Sequence, residues 1–343
     1  MNNSNQNLWN NSFSHIYVEK EIMNTEKVTK IIEQFPNSVI VPIQHYKDFF
    51  NRSNQNFHAQ SLQQKLILAT NKGQLVMKGA PVCQNFGQEY FYYTSNVLNC
   101  IYDCEYCYLQ GRYPSSNLVV FINLSDNFAE LEVLLKQHPV YVCISYDTDL
   151  LAIENTFHFL SEWIAFAKLH PNLTVEVRTK SAQVELIRKL EPLPNIIYAW
   201  TLSPNVIQQK YEHKTPTLHM RLKALKAAIA CGHPVRACFD PILNIPQAFE
   251  TYQAFFNEVF EAINASSLTD VSLGLFRISK DYLKLLRKHR PNSSIATYPY
   301  AQSNGYCHYE ESIFYELLTP IYNELLTYLP ADKIFLDTSA IAT

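Results

Sequence analysis

The strongest constraint on the fold is a regular alternation of apolar segments and amphipathic helices that begins at Leu118. The apolar segments have the length and composition of buried strands: LVVFIN (118–123), VYVCIS (140–145), LTVEVRT (173–179), IIYAWT (196–201), PVRACFD (234–240) and VSLGLF (271–276). This alternation is typical of βα units around a parallel sheet, so it predicts an α/β fold. Six units are too few for a closed eight-stranded barrel and fit an open six-unit barrel.

The pattern also predicts helix ends. Ser125 and Asp126 precede NFAELEVLLKQ as capping residues. The helix TLHMRLKALKAAIAC stops at Gly232, a residue type that readily adopts the left-handed conformation found after helices. Near the end of the chain we expect a basic helix (SKDYLKLLRKHR), a Tyr/Pro-rich connector, a long amphipathic helix (EESIFYELLTPIYNELLTYL) and a short apolar run, KIFL.

Three regions follow from this organisation. Residues 1–90 form an N-terminal extension with a small sheet, in which a polar tail over residues 1 to about 14 precedes the β-rich runs SVIVPI, KLILAT and QLVMKG. Polar loops such as NRSNQNFHAQ separate these runs. Residues 91–277 form the open barrel, with FYYTSN (91–96) as an additional candidate for its first strand, so seven segments compete for six places. Residues 278–343 form a C-terminal helical closure.

Composition excludes several classes of protein. The 343 residues are 47% hydrophobic, ample for a buried core, and carry a formal net charge of -3, which gives no global attraction to nucleic acid. Only seven glycines are present, and neither a GxGxxG segment nor a P-loop occurs. The polar start has no apolar leader segment, and no run approaches 18 apolar residues. We therefore expect a cytoplasmic protein without a membrane partner.

Three cysteines lie close together in the run LNCIYDCEYCYLQG: Cys100, Cys104 and Cys107, with the spacing CxxxCxxC. Three thiolates on a 4Fe-4S cluster leave one iron without a protein ligand and free to bind an exogenous molecule. A zinc site is an alternative, although no second CxxC or HxxxH pair follows, and three core cysteines without a ligand are another. Eight cysteines in a chain of this length are too few and too clustered for a secreted disulfide framework.

With an aromatic residue, Tyr106, directly before the third cysteine, the loop resembles that of the radical S-adenosylmethionine (SAM) enzymes. This resemblance implies a 4Fe-4S cluster and SAM as cofactors, with the methionine moiety of SAM bound to the open iron. It also implies a partial (β/α)6 barrel in which the cysteine loop follows the first strand.

At YCYLQG (106–111) the resemblance narrows to the spore photoproduct lyase family. Four further stretches are similar to segments of that family: IYVEKE (16–21), VRTKS (177–181), WTLSPNVIQQKYEHKTPTLHMRL (200–222) and VRACFDPIL (235–243). The resemblance implies a carbon–carbon lyase that reductively cleaves SAM to a 5′-deoxyadenosyl radical and repairs a thymine dimer in DNA. A reductant such as a flavodoxin or ferredoxin would supply the electron.

The segment ISYDTDLL follows a predicted strand, at the carboxyl end where barrel folds place their sites. By resemblance, Ser145, Asp147 and Asp149 would contact the amino group of SAM, because the family has a Ser-Asp segment here. Capping of the next helix is the open alternative for the two aspartates.

Other strand ends supply further candidates. Lys180 would lie near the carboxylate or adenosine of SAM, or else be a solvated lysine. Thr201 and Ser203 would bind polar groups of SAM, or else be turn residues before Pro204. The default interpretation of Glu212 and Arg221 is a structural ion pair, with a substrate contact as the alternative.

Aromatic and basic residues near the loop have two interpretations each. Tyr106 and Tyr108 flank Cys107 and could shield the cluster or relay a radical, although packing is the commoner role of tyrosine. The basic segment KDYLKLLRKHR and Arg112 could contact DNA phosphates, whereas a solvated helix face is the ordinary meaning of such a run.

The hydrogen donor is where the chain departs from the family. The family uses a cysteine in a Cys-Thr-Ser-Asp segment to quench the product radical, and alignment of the final Asp with Asp149 places Tyr146 at the cysteine position. Cys143 lies three residues upstream, and strand alternation predicts Cys143 and Ser145 on one face and Tyr146 on the other. Either Tyr146 donates, or Cys143 reaches in, or the substrate differs; we favour a different substrate or a divergent lyase.

Two rival functions stay open at this stage. One is a radical SAM enzyme that acts on a substrate other than DNA. The other is a non-catalytic zinc or iron-sulfur protein that uses the barrel to bind nucleic acid.

Overall fold

The computed structural model describes residues 13–80 and 83–337, and the predicted tail over residues 1 to about 14 lies almost entirely outside them. The strands in chain order are β1 (His15–Glu19), β2 (Val39–Ile43), β3 (Leu66–Ala69), β4 (Val76–Lys78), β5 (Phe91–Thr94), β6 (Val97–Leu98), β7 (Asp103–Cys104), β8 (Leu118–Phe121), β9 (Val140–Cys143), β10 (Leu173–Thr179), β11 (Ile196–Thr201), β12 (Glu212–His213), β13 (Val235–Ile242), β14 (Asp270–Leu275), β15 (Arg277–Ser279), β16 (Ala301–Ser303), β17 (Tyr306–His308) and β18 (Ile334–Leu336).

The α-helices in chain order are α1 (Glu26–Glu33), α2 (Lys47–Phe50), α3 (Phe57–Leu62), α4 (Leu109–Arg112), α5 (Leu124–Leu135), α6 (Leu150–Phe157), α7 (Phe159–Leu169), α8 (Val184–Ile187), α9 (Asn205–Tyr211), α10 (Leu218–Ala230), α11 (Ala248–Ala262), α12 (Lys280–His289), α13 (Glu311–Ile313) and α14 (Thr319–Leu325). Short 3-10 turns cover Lys20–Ile22, Ala265–Ser267 and Ala331–Lys333, and a π-turn covers Phe314–Leu318. Among the residues described, no helix has both the length and the apolar character needed to cross a bilayer.

The larger sheet contains eight strands in the order β18-β14-β13-β11-β10-β9-β5-β4. Every neighbouring pair is parallel except β4 and β5 at one edge. The predicted α/β class and its parallel sheet are therefore confirmed. Within the larger sheet, β5 is the first strand in the chain that pairs in parallel, and it lies within the predicted FYYTSN segment. The cysteine loop follows β5 along the chain.

The smaller sheet has the order β2-β1-β3-β8-β6, and all of its pairs are parallel except β6 with β8. The prediction that LVVFIN (118–123) is a barrel strand was wrong, because β8 lies in this smaller sheet. A fully buried apolar strand has no periodicity that tells which sheet it joins. The other six of the seven segments that competed for the barrel positions do lie in the larger sheet.

Several segments outside the barrel also differ from the prediction. QLVMKG contributes the antiparallel edge strand β4, and KIFL becomes the parallel strand β18 of the larger sheet. The polar run NRSNQNFHAQ was predicted as a loop, but its end starts helix α3, where Asn56 accepts a hydrogen bond from the backbone N–H of Ala59 at 2.9 Å. The Tyr/Pro-rich connector contains β16 and β17, which form a three-stranded sheet with β15.

Helix ends follow sequence signals only in part. Gly232, the second residue after the end of α10, has a φ of +83°, as predicted. Helix α5 starts at Leu124 instead of after Ser125 and Asp126, because Asp126 accepts a hydrogen bond from the Asn123 side chain at 2.7 Å within the first turn. The long C-terminal helix contains a π-turn just before Pro320, which lacks the N–H of a regular helix.

A buried network of charged side chains links four strands of the larger sheet. Arg236 donates to Glu176 at 2.5 Å, to the Tyr141 hydroxyl at 2.6 Å and to Asp270 at 2.9 Å, and all four residues are buried. The ring of Phe86 lies over the Arg236 guanidinium at 3.3 Å. Because buried charges are stable only when paired, this network fixes the relative positions of β9, β10, β13 and β14 and holds the chain around Phe86 against them.

Candidate metal centre

The cysteine loop (residues 99–112) lies between β6 and β8, two strands of the smaller sheet. At its start, Asn99 adopts a left-handed φ of 69° and its side chain donates to the backbone carbonyls of Ser115 and Asn117 at 2.7 and 2.8 Å. In its middle, β7 pairs with β12, so Cys104 lies opposite Glu212. Backbone pairing and buried side-chain bonds therefore fix this loop, which carries Cys100, Cys104 and Cys107.

A buried ion pair fastens the middle of the loop. Glu212 accepts hydrogen bonds from the side chains of Arg221, Tyr106 and Ser203, the last at 2.7 Å, and each of these residues is buried. Burial alone would raise the pKa of Glu212, but the charges of Arg221 and Lys180 lower that pKa to about 2. The structural Glu-Arg pair predicted from the sequence is confirmed, and it also anchors Tyr106.

The three cysteines of the loop are free thiols. Burial, the largest effect, raises the pKa of Cys100 to about 12 and that of Cys107 to about 11, and it raises the pKa of Cys104 well above its usual range. Thiolates bind metal, so a metal must displace these protons when it binds. Within residues 13–80 and 83–337, no three His, Cys, Asp or Glu side chains already form a metal site. The thiols would therefore have to reorient around a common cluster.

Lys180 lies beside these thiols. Its ammonium group is 5.6 Å from the centre of the Tyr106 ring, and its charge lowers the pKa of both Cys104 and Cys107. Burial alone would lower the pKa of Lys180, but the nearby charges of Glu212 and Cys104 raise that pKa above the ordinary value. Lys180 is thus half-buried against the loop and is not a solvated lysine, and its charge can compensate the negative charge of bound thiolates.

The segment after β9 is strongly hydrogen-bonded. Asp149 caps α6 by accepting from the backbone of Ala152 at 3.0 Å, and it also accepts from Thr179 at 2.8 Å and from the backbone of Lys180 at 2.6 Å. The helix-capping interpretation therefore describes Asp149, and its hydrogen bonds also tie α6 to the end of β10.

Asp147 accepts from three hydroxyl groups. The donors are Ser95 at 2.5 Å, Tyr113 at 2.9 Å and Tyr108 at 3.2 Å, and Arg112 lies 3.5 Å away. Asp147 therefore joins the cysteine loop to β9 and β5, and it engages Arg112, which the sequence suggested for phosphate contact.

The polar groups of Ser145, Thr201 and Ser203 differ in whether they already have a hydrogen-bond partner. The buried hydroxyl oxygens of Ser145 and Thr148 have no hydrogen-bond partner among the described residues. Ser203 is occupied by Glu212, and the Thr201 carbonyl accepts from Arg221 at 3.2 Å. Ser145 thus keeps a hydroxyl available for a ligand, whereas Ser203 has a structural partner.

The three candidate catalytic residues come together at the end of β9. The Tyr108 hydroxyl donates to the backbone carbonyl of Tyr146 at 2.5 Å, and the two ring centres are 5.8 Å apart. Cys143 and Tyr146 pack in one small apolar cluster with Tyr93. The predicted separation of Cys143 and Tyr146 onto opposite faces was wrong, because β9 ends at Cys143 and the alternation ends with it.

Sequence reasoning missed one residue of this cluster. The Cys83 Sγ atom lies 3.6 Å from the Tyr146 hydroxyl oxygen. Cys83 occupies an irregular segment between β4 and β5, where no motif or periodicity singles it out. Only the three-dimensional contact reveals it.

Helix α12 packs on the cysteine loop. Arg290, just after the helix, contacts Asp103 and donates to the Gln110 side chain at 3.1 Å, and His289 bonds to the Gln110 carbonyl at 2.8 Å. Gly111 permits the close approach, since a Cβ atom there would lie 2.3 Å from the carbonyl oxygen of Tyr282.

Replacement of Gly111 by Ala is expected to lower the free energy of unfolding by about 1–3 kcal/mol, because the backbone of α12 must move to make room. Urea denaturation measures the change. Gly73→Ala is the matched control, since its Cβ would meet its nearest atom at 3.5 Å, an ordinary contact. Equal urea midpoints for the two variants would contradict the tight packing.

The residues present fit a 4Fe-4S cluster with SAM. Cys100, Cys104 and Cys107 supply three thiols, the number that leaves one iron open. Lys180 supplies a positive charge beside them. Ser145, the residue before Tyr146 in the chain, supplies a buried hydroxyl without a hydrogen-bond partner in the described part of the chain.

Comparison with known proteins adds a family and a fold. A family model described as Spore photoproduct lyase matches residues 14–314. Three solved structures of spore photoproduct lyase are similar: a mutant (TM-score 0.81), a complex with dinucleoside spore photoproduct (0.80), and a double mutant with bound AdoMet and dinucleoside spore photoproduct (0.78). Each is 16% identical, and each alignment covers 95% of this chain and 98% of the other. No curated protein matches.

Proposed function

Because this chain belongs to the spore photoproduct lyase family, we propose that it is a radical SAM lyase that repairs a thymine dimer photoproduct in DNA. The observation that carries the proposal is the extent of the family match, which includes the smaller sheet, every strand of the larger sheet except β18, all three loop cysteines and helix α12. Solved relatives hold AdoMet and the dinucleoside photoproduct, and the shared fold supports the same ligands here.

In this proposal Cys100, Cys104 and Cys107 hold the cluster, and Ser145 and Lys180 face the bound SAM. When bound, the cluster and SAM supply a one-electron cleavage that yields a 5′-deoxyadenosyl radical able to remove a hydrogen atom from substrate. A flavodoxin or ferredoxin in the cytoplasm would donate the electron.

The protein contributes position and shielding. The buried pair Glu212–Arg221 and the Tyr106 ring hold the cysteine loop rigid, and Asp147 and Asp149 fix the segment that carries Ser145. A rigid, largely buried site keeps water and stray hydrogen donors away from a reactive radical.

Helix α12 offers a surface for the DNA backbone. Lys280, Lys284 and Lys288 are exposed and recur every four residues, so they lie along one face of the helix. Arg112 contacts Asp147, and Arg290 contacts Asp103, so these two arginines are held by carboxylates. The lysine row therefore supports a phosphate contact better than the arginines do.

Anaerobic turnover tests the proposal. The reconstituted, dithionite-reduced protein is incubated with SAM and a dinucleoside spore photoproduct, and thymidine products and 5′-deoxyadenosine are measured together. Conversion of the photoproduct to thymidine products is the expected result.

One second candidate function is a radical SAM enzyme that acts on a substrate other than this photoproduct. The observation that favours it is that Tyr146 occupies the position of the hydrogen-donating cysteine of the family. Formation of 5′-deoxyadenosine without repair would select it. A colourless protein that holds one zinc ion and does not cleave SAM would overturn both enzyme functions.

A further inference from the structure

Arg178 of β10 reaches across the larger sheet. Its backbone is paired with that of Ala199 in β11, and its guanidinium extends beyond this small residue to Asp240 of β13, two strands away. Side chains alternate along a strand, so Arg178 shares a face of β10 with Glu176. The pair of Arg178 with Asp240 therefore lies on the face of the sheet that also carries the Arg236 network.

The hydrogen bonds of Arg178 are long, unlike those of Arg236. Arg236 donates to Glu176 at 2.5 Å and is 2% exposed. Arg178 donates from Nη1 to the two Asp240 oxygens at 3.4 and 3.3 Å and from Nε to Glu176 at 3.3 Å, and its Nη2 makes no hydrogen bond to any residue that the structure describes. Hydrogen bonds between charged groups are normally about 2.7–2.9 Å long. Arg178 and Asp240 are also 31% and 25% exposed, so they offer a ligand an unused donor beside an accessible acceptor.

The pair lies beside the proposed SAM site. Arg178 precedes Lys180 by two residues, which separates their backbones by at most about 7 Å. Burial raises the pKa of Cys143 and of Cys238, and the positive charge of Arg178 opposes this rise in both. The guanidinium is therefore close to the carboxyl end of β9 as well as to β13.

Aromatic rings border the same region. Cys143 packs in an apolar cluster with Tyr93 and Tyr146, whose half-buried rings stack with their centres 4.1 Å apart. Enzymes that act on an unstacked base read its Watson–Crick edge with hydrogen bonds and hold its faces against aromatic or apolar side chains. A donor and an acceptor next to such rings suit the recognition of one base.

Given the proposed repair function, on which this inference rests, we propose that Arg178 and Asp240 read the imide edge of one thymine of the photoproduct. Asp240 accepts a hydrogen bond from N3–H, and Arg178 donates to the adjoining carbonyl oxygen. The carbon–carbon bridge of a thymine dimer leaves this edge of the ring intact. Cytosine has a lone pair at N3 and an amino group in place of the thymine O4, so in the same position its N3 would face the Asp240 carboxylate without a proton between them. The pair thus selects thymine.

Equilibrium binding tests the imide contact in the reconstituted protein before reduction. Isothermal titration calorimetry compares dinucleoside spore photoproduct with two analogues, each methylated at N3 of one of the two rings. One of the analogues should bind at least about tenfold more weakly, because the methyl group removes the N–H and leaves the carboxylate without its partner. Equal affinity for all three ligands would overturn the proposal.

The Asp240→Ala variant assigns this selectivity to the pair. It should bind the photoproduct at least about tenfold more weakly than wild type and should no longer distinguish it from the methylated analogue. The ratio compares two ligands on one protein, so a misfolded fraction does not change it. Arg178→Gln should also weaken binding of the photoproduct, whereas Arg188→Gln, which alters an exposed ion pair with Glu185, is the matched control and should bind like wild type. A wild-type ratio in Asp240→Ala would contradict the assignment.

Turnover distinguishes the failure of this inference from the failure of the repair function. The KM for SAM should be the same in wild type and Asp240→Ala. A raised KM for SAM with an unchanged KM for photoproduct would place the pair at the adenine of SAM, which also has a donor beside an acceptor, and would overturn the proposal. Wild-type protein that repairs the photoproduct and tolerates either methyl group would overturn the imide contact alone. Wild-type protein that neither binds nor repairs the photoproduct would overturn the repair function and the imide contact together.

Discussion

The Cys104→Ala variant is expected to lose the cluster and all SAM cleavage. Cys104 is the most deeply buried of the three loop cysteines, and its backbone pairs with that of Glu212. With two thiolates left, the loop can no longer hold three of four irons. Iron and sulfide analysis after anaerobic reconstitution, together with 5′-deoxyadenosine formation, measures the loss.

Cys231→Ala is the matched control, because it removes a thiol far along the chain from the loop, at the end of α10. It should keep the iron content and SAM cleavage of the wild type. Normal turnover in Cys104→Ala would overturn the assignment of the three cysteines as cluster ligands.

The Glu212→Gln variant is expected to lose about 3 kcal/mol of folding free energy at neutral pH. The substitution leaves the buried guanidinium of Arg221 without its carboxylate, and breaking a buried ion pair typically costs about 3–5 kcal/mol. The pKa of Glu212 falls from an ordinary 4.5 to about 2 on folding, which corresponds to a similar figure of about 3 kcal/mol at about 1.4 kcal/mol per unit.

The stabilisation that Glu212 contributes should depend on pH in a defined direction. Because the pKa of Glu212 is lower in the folded state, its stabilisation is complete above pH 4.5 and is lost as the pH falls toward 2. The difference in unfolding free energy between wild type and Glu212→Gln should therefore shrink between pH 5 and pH 3, as measured by urea denaturation of protein without cluster. Glu185→Gln, whose pair with Arg188 is exposed, should change stability by less than about 0.5 kcal/mol. A difference that does not change with pH would contradict the role of the carboxylate.

Motifs with fixed spacing were informative about the site. The CxxxCxxC run predicted the cysteine loop, and the following YLQG segment contains Gly111, whose small size the packing of α12 requires. The Glu212–Arg221 pair was predicted from helix position alone. What spacing could not predict was that Tyr106 and Ser203 share the same carboxylate, because those residues come from separate elements.

Strand identity was predicted better than strand partnership. The apolar runs were located well, but β8 joined the smaller sheet and KIFL joined the larger one. Pairing depends on which edges remain free once the rest of the chain has packed, and a buried strand has no local signature for that choice. The polar residues at strand ends were similarly ambiguous, since Asp149 suits a ligand site and a helix cap equally well. Its hydrogen bond from the backbone of Ala152 shows the cap role, and its bonds from Thr179 and Lys180 tie it to β10 as well.

Cys83 shows most clearly what a single sequence cannot predict about the site. Nothing near it in the sequence distinguishes it from Cys231, yet it lies within contact distance of Tyr146, which follows 63 residues later. A single sequence without such a contact offers no reason to prefer it.

The attachments of the cysteine loop also determine when the protein can first receive its cluster. The loop is synthesised early, but Glu212 and Arg221 follow Tyr106 by more than a hundred residues, and Arg290 follows Asp103 by 187. Chains emerge from the ribosome amino end first, so a nascent chain that stops before β12 carries the three cysteines without the groups that hold them in place. Cluster delivery should therefore succeed only on chains whose synthesis is nearly complete, and truncated products would be left without iron.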